Sequence, residues 1–299
     1  MMRKRTALTT LTCLVGLALL LSCAEKYRPD ANGGGADSRV QASVSLLGTA
    51  AAAEDENGKN ATPWGTIKGR IVFEGDKVPQ RQVIQQVNGH QDQKHCLSKG
   101  ALKTEDWVVN PKNKGVRWTI LWLAPAEASG KLPIHPDLEK IQKKQVEMDQ
   151  PCCAFEPHAL AIREGQTLIV KNSAPVAHNV RWTGNPLSNP GGNVQLPAGK
   201  DLTINLKAQR LPVMFNCDQH KWMNARVAVF KHPYFAVTNE NGDFEIKNAP
   251  AGKYRLIVWH ESVGWRGGAK GRDGQEIDIK AGGVTNLGDL TLKPKYEDD

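Results

Sequence analysis

In the segment PVMFNCDQHKWMNARVAVF, Cys217, His220 and Met223 place a thiolate, an imidazole and a thioether within one seven-residue loop between two strand-like runs. Soft sulfur donors select copper or zinc over hard cations, and two histidines with one cysteine and a weak axial methionine make a blue-copper arrangement. Cys217, His220 and Met223 leave that arrangement one imidazole short. His178 in NSAPVAHNV supplies it, because it lies in the loop just after the strand-like QTLIVKN and a sandwich would present both loops at the same end. Singly, each residue reads as ordinary packing: a buried cysteine, a satisfied histidine, a core methionine. The ordered set of four donors is what points to copper.

Other residues that could do chemistry fit worse. His260-Glu261 has Gly264 where a helical zinc site needs its second histidine. His158 shares a strand face with Leu160 and Ile162, which predicts a hydrogen-bonded histidine at the edge of the core. His90 and His95 flank a polar turn near Cys96 and read as surface residues. No His-x-His pair and no Cys-x-x-Cys-His haem motif occur in the chain. The formal net charge is +8, of which Arg3, Lys4 and Arg5 near the N-terminus account for three, and the remaining basic residues are scattered. No nucleic-acid stripe is indicated.

The start of the chain, MMRKRTALTTLTCLVGLALLLSC, puts basic residues before an apolar run too short to span a bilayer as a helix. It predicts an export signal over residues 1–22. In an oxidising compartment the cysteines beyond the leader are disulfide candidates. Cys96 can pair with one of Cys152 and Cys153, which on an extended strand point to opposite faces.

The elements that must position these groups are strands. Residues 23–63, rich in Gly, Ala, Ser, Asn and Asp, predict a flexible tether. From Trp64, short alternating runs separated by Gly, Pro and Asn turns predict an all-β chain: a β-sandwich over 64–231, carrying an N-terminal extension, and a smaller one over 232–299. The strand in GTIKGRIVFEG is expected to join the first body. The interval Pro136 to Met148 is the most helix-like and predicts an excursion over the sandwich.

The His178-Asn179 pair followed by Cys217-x-x-His220-x-x-Met223 resembles the cupredoxin family, with a short ligand loop most similar to amicyanin, over about residues 112 to 231. The resemblance implies a Greek-key sandwich and one type 1 copper ion, Cu(I)/Cu(II), held by His178, Cys217, His220 and Met223. It implies that Asn179 ties the two ligand loops together, and that an imidazole edge beside Trp222 and Met223 is the electron port. Asn216 and Asp218 stand beside Cys217, where copper oxidases and nitrite reductases of the family carry a histidine, so the implied role is a one-electron carrier and not an enzyme. Its partner would be a redox protein such as a c-type cytochrome or a dehydrogenase. Copper capture and delivery without electron traffic is the alternative, followed by a structural or carbohydrate-binding envelope role.

Gly242, Phe244, Ile246, Pro250, Gly252, Tyr254, Leu256 and Val258 resemble the carboxypeptidase-regulatory-like, or prealbumin-like, domain. Leu-Leu-Ser-Cys23 resembles the bacterial lipobox, which implies a lipid anchor on Cys23 and a periplasm-facing envelope location. Ala24 is not the inner-membrane retention signal, so the outer membrane is preferred. Resemblance to a related motif favours Cys153 as the partner of Cys96.

Overall fold

The computed structural model describes residues 64–127 and 130–294; Cys23, the leader and the tether lie outside them. Sixteen strands run in chain order among these residues. They are β1 (Trp64–Phe73), β2 (Ile120–Pro125), β3 (Gln145–Met148), β4 (Ala159–Arg163), β5 (Thr167–Lys171), β6 (His178–Thr183), β7 (Gly192–Leu196) and β8 (Asp201–Asn205). The rest are β9 (Val213–Asn216), β10 (Asn224–Phe230), β11 (Phe235–Val237), β12 (Asp243–Pro250), β13 (Gly252–His260), β14 (Gly264–Trp265), β15 (Gln275–Ile279) and β16 (Val284–Leu292). Helix is confined to single turns such as Gln93–Cys96 and Pro136–Glu139. None of the described helices is long and apolar enough to cross a membrane.

The strands form four sheets: β12-β1-β16, then β11-β2-β13-β14 with β15 on β13, then β4-β10-β9-β6-β7, and β3-β5-β8. Three apolar clusters bind these sheets together. Ile162, Leu168, Val180, Phe215 and Val227 fill the space between the last two sheets. Ile71, Leu121, Phe244, Leu256 and Leu290 fill that between the first two. A third cluster, including Trp118, Trp122, Trp259, Ala159, Ala161 and Ala228, joins the two five-stranded sheets back to back.

Period-2 alternation builds this layering. On β13, Leu256 and Val258 face one cluster while Ile257 and Trp259 face the other; on β10, Val227 and Val229 turn away from Ala228 and Phe230. Strands apolar on both faces are therefore buried on both. At the central junction, large Trp rings on one sheet meet small Ala side chains on the other. A leucine at Ala161 would overpack that contact at a cost of about 1–3 kcal/mol.

Strand pairing departs from the expected make-up of the first body, 64–231. β1 pairs antiparallel with β12 and parallel with β16, and β2 pairs with β11 and β13, so both belong with the C-terminal strands and not with the body around His178. Alternation tells which face of a strand is buried but not which strand lies beside it, and β1 meets its parallel partner more than 200 residues along the chain. The helix-like interval also differs: only Pro136–Glu139 and a following 3-10 turn are helical, and Gln145–Met148 is a strand pairing parallel with β5. An edge of the β3-β5-β8 sheet supplied backbone partners that the polar sequence did not announce.

Candidate metal centre

His178 opens β6, Cys217 directly follows β9 and Met223 directly precedes β10. These strands are neighbours, and the antiparallel pairing Arg181↔Asn216 sets the start of β6 beside the end of β9. The 217–223 loop is closed on itself: Met223 N–H donates to His220 O (2.8 Å) and Cys217 N–H to Met223 O (3.2 Å). Backbone N–H groups of His220 and Asn179 both point at Cys217 Sγ, each at 3.4 Å. Two backbone donors thus hold one sulfur in place.

Three donor atoms converge there. His178 Nδ1 and His220 Nδ1 are 2.9 Å apart, and Cys217 Sγ lies 4.0 Å from the first and 3.7 Å from the second. With bonds of about 2.0–2.1 Å to imidazole and about 2.3 Å to thiolate, a first-row metal spans sulfur–nitrogen separations of about 3.8 Å. The set fits a single ion once the two rings part slightly. His178 and His220 are fully buried and Cys217 nearly so. Burial, then the neighbouring His220 and His95, push His178 down to about 3. Burial also lowers His220, against the pull of Asp92. Both rings are thus neutral, which is the ligating form. Met223 is buried at 1% exposure beside Cys217 and Phe215 in the same core cluster.

Asn179 binds the two loops to each other. Its Oδ1 accepts from the N–H groups of Asp218 and Gln219 (2.5 and 3.2 Å) and lies 3.2 Å from Cys217 Sγ. Its Nδ2 donates to Asn193 Oδ1 at 2.6 Å.

A segment that the sequence did not mark covers the candidate site. Asp92 Oδ2 accepts from His220 Nε2 at 3.0 Å, and the His90 ring lies 4.7 Å from that of His220. His90 Nε2 contacts Gln219 O and His95 Nε2 contacts Pro151 O, both at 3.2 Å. Cys96 is bonded to Cys153, which pins the same segment. His90 and His95 are therefore packed against the site instead of lying free on the surface. The expected imidazole port is corrected too: both rings have no solvent exposure, and His220 Nε2 meets a carboxylate. Trp222 is half-buried and donates its Nε1–H to Cys153 O (3.0 Å). The only signal for this cap was the cluster of His90, Asp92 and His95 just before Cys96, and polar turn residues are usually solvated.

His158 does sit at a core edge. It is buried, with Nδ1 3.1 Å from Asn224 O and Nε2 in a short contact with Glu261 Oε1. Glu261 also binds Arg226 at 2.9 Å. This trio lines a cavity of about 470 Å3 that Asn216, Trp222 and Met223 also line. His260 ends strand β13 and takes no part in a helical zinc motif.

No protein-family model matches the chain, and no curated protein matches it. Among solved structures, the chain is similar to a copper(I) form of a mutant amicyanin, at 17% identity over 28% of this chain and 81% of that one, with a TM-score of 0.26. It is similar to a purple cupredoxin from Nitrosopumilus maritimus (18% identity, 28% and 98% covered, TM-score 0.24) and to amicyanin from Paracoccus versutus (17%, 28% and 80%, TM-score 0.26). Likeness at these scores carries no weight for function.

Proposed function

We propose that this protein serves as a one-electron carrier in which His178, Cys217, His220 and Met223 would hold one copper ion. The observation that carries the proposal is the convergence of two neutral imidazole Nδ1 atoms and one sulfur, within 4.0 Å of each other, in a site without solvent exposure. Copper bound there supplies reversible one-electron chemistry, with the cysteine environment and the axial residue tuning its potential. The protein's own groups do the rest. The N–H groups of Asn179 and His220 hold the sulfur, and Asn179 Oδ1 fixes the loop that carries it. A scaffold held on both sides keeps its geometry when charge changes, which favours fast transfer over bond-breaking chemistry.

Export, anchoring through Cys23, a periplasm-facing location with the outer membrane preferred, and a redox protein partner such as a c-type cytochrome or a dehydrogenase complete the proposal; they rest on the leader sequence and the resemblance. The buried site speaks against open copper capture and delivery. Addition of one equivalent of Cu(II) tests the reading: an intense thiolate charge-transfer band and a matching electron-spin signal are expected, both lost in Cys217→Ser. Stoichiometric Cu(II) binding without that band would overturn the type 1 assignment.

A further inference from the structure

We propose that Asp92 is a positioning residue for His220: its carboxylate fixes the ring with Nδ1 turned to the metal and replaces solvent at the ring's outer edge. The proposal rests on the copper reading given above. A carboxylate only accepts hydrogen bonds, so the 3.0 Å contact places the proton of His220 on Nε2 and leaves the Nδ1 lone pair facing His178 and Cys217. A ligating histidine whose other nitrogen is held by a carboxylate becomes more basic and is locked in orientation.

Asp92 is itself held in place. Its carbonyl accepts from the N–H groups of His95 (3.0 Å) and Cys96 (2.9 Å), and its own N–H donates to His90 Nδ1 (3.1 Å). The Cys96–Cys153 disulfide then ties this turn to the sandwich, close enough that both sulfurs and a His220 ring nitrogen lie within 4.8 Å of one another. His90 does not compete as a ligand, because Nδ1 accepts from Asp92 N–H and Nε2 faces Gln219 O. Its ring instead packs against those of both His220 and Trp222. A fixed negative charge at this distance favours the more highly charged copper(II) state over copper(I). Asp92 therefore strengthens Cu(II) binding more than Cu(I) binding and lowers the reduction potential.

The test compares Asp92→Asn and Asp92→Glu with the wild-type full-length protein, using chelator competition for each copper oxidation state and voltammetry. Asp92→Asn is expected to weaken Cu(II) binding by about 10–100-fold, to weaken Cu(I) binding less, to raise the potential and to keep the thiolate band; Asp92→Glu recovers part of the loss. Unchanged Cu(II) affinity and potential in Asp92→Asn, or a loss of folding stability alone, overturns the proposal. A missing thiolate band in the wild-type protein instead overturns the copper reading, so the two failures are distinct. If Asp92→Asn does not fold, nitrogen-15 spectra of the wild-type copper(I) protein decide. A slowly exchanging Nε2–H on His220 supports the proposal, and an unprotonated Nε2 overturns it.

Discussion

Replacing Asn179 with alanine tests whether one amide holds the two metal-site loops together. The substitution removes the acceptor for two backbone N–H groups, those of Asp218 and Gln219, and the donor to Asn193 Oδ1. An orphaned buried donor costs about 1–3 kcal/mol. Asp218 is exposed and Gln219 half-buried, so water reaches both and the low end applies to each. The expected loss is about 2 kcal/mol for the two N–H groups together. At about 2–4 °C per kcal/mol for a fold of this size, the melting temperature should drop by roughly 4–8 °C. Urea unfolding and thermal melts of the metal-free protein measure it, and Asn179→Asp, which keeps the acceptor, should lose less. A loss under about 0.5 kcal/mol for Asn179→Ala would show that the loops hold without the amide, and would refute the reasoning.

Replacing Cys96 and Cys153 together with serine opens a loop with a sequence separation of 57, which should lower stability by about 4 kcal/mol in denaturant titrations. Met223→Gln should keep the thiolate band and lower the reduction potential in voltammetry, because an axial ligand tunes the metal more than it holds it. Cys23→Ala should release the protein from membranes, with mass spectrometry showing no lipid on the mature N-terminus. The His158–Glu261 pair should shape the pH dependence of folding. Burial opposes charge on both groups, yet their hydrogen bond and mutual attraction raise His158 above 6.5 and lower Glu261 below 4.5. The histidine contribution is complete below pH 6.5 and lost as pH rises through its folded value; the carboxylate contribution is complete above pH 4.5 and lost as pH falls through its folded value. The stability difference between wild type and Glu261→Gln should therefore be greatest between pH 4.5 and 6.5 and shrink on both sides.

The donor set was legible because metal chemistry constrains residue type and local spacing at once: Cys217, His220 and Met223 share one loop, and His178 follows a recognisable strand. The all-β class was legible because alternation is a local property of a strand. Partner choice is not local. β1 carries the same alternation whichever sheet receives it, and only the packing of Ile67 and Ile71 against Phe244, Ile246 and Leu290 decides for the C-terminal layers. Asp92 lies 128 residues before His220 in a stretch with the composition of a solvated turn. Its place at the candidate site came from folding of the chain, since the disulfide brings this turn against the loop and a buried imidazole N–H needs an acceptor that only proximity can supply.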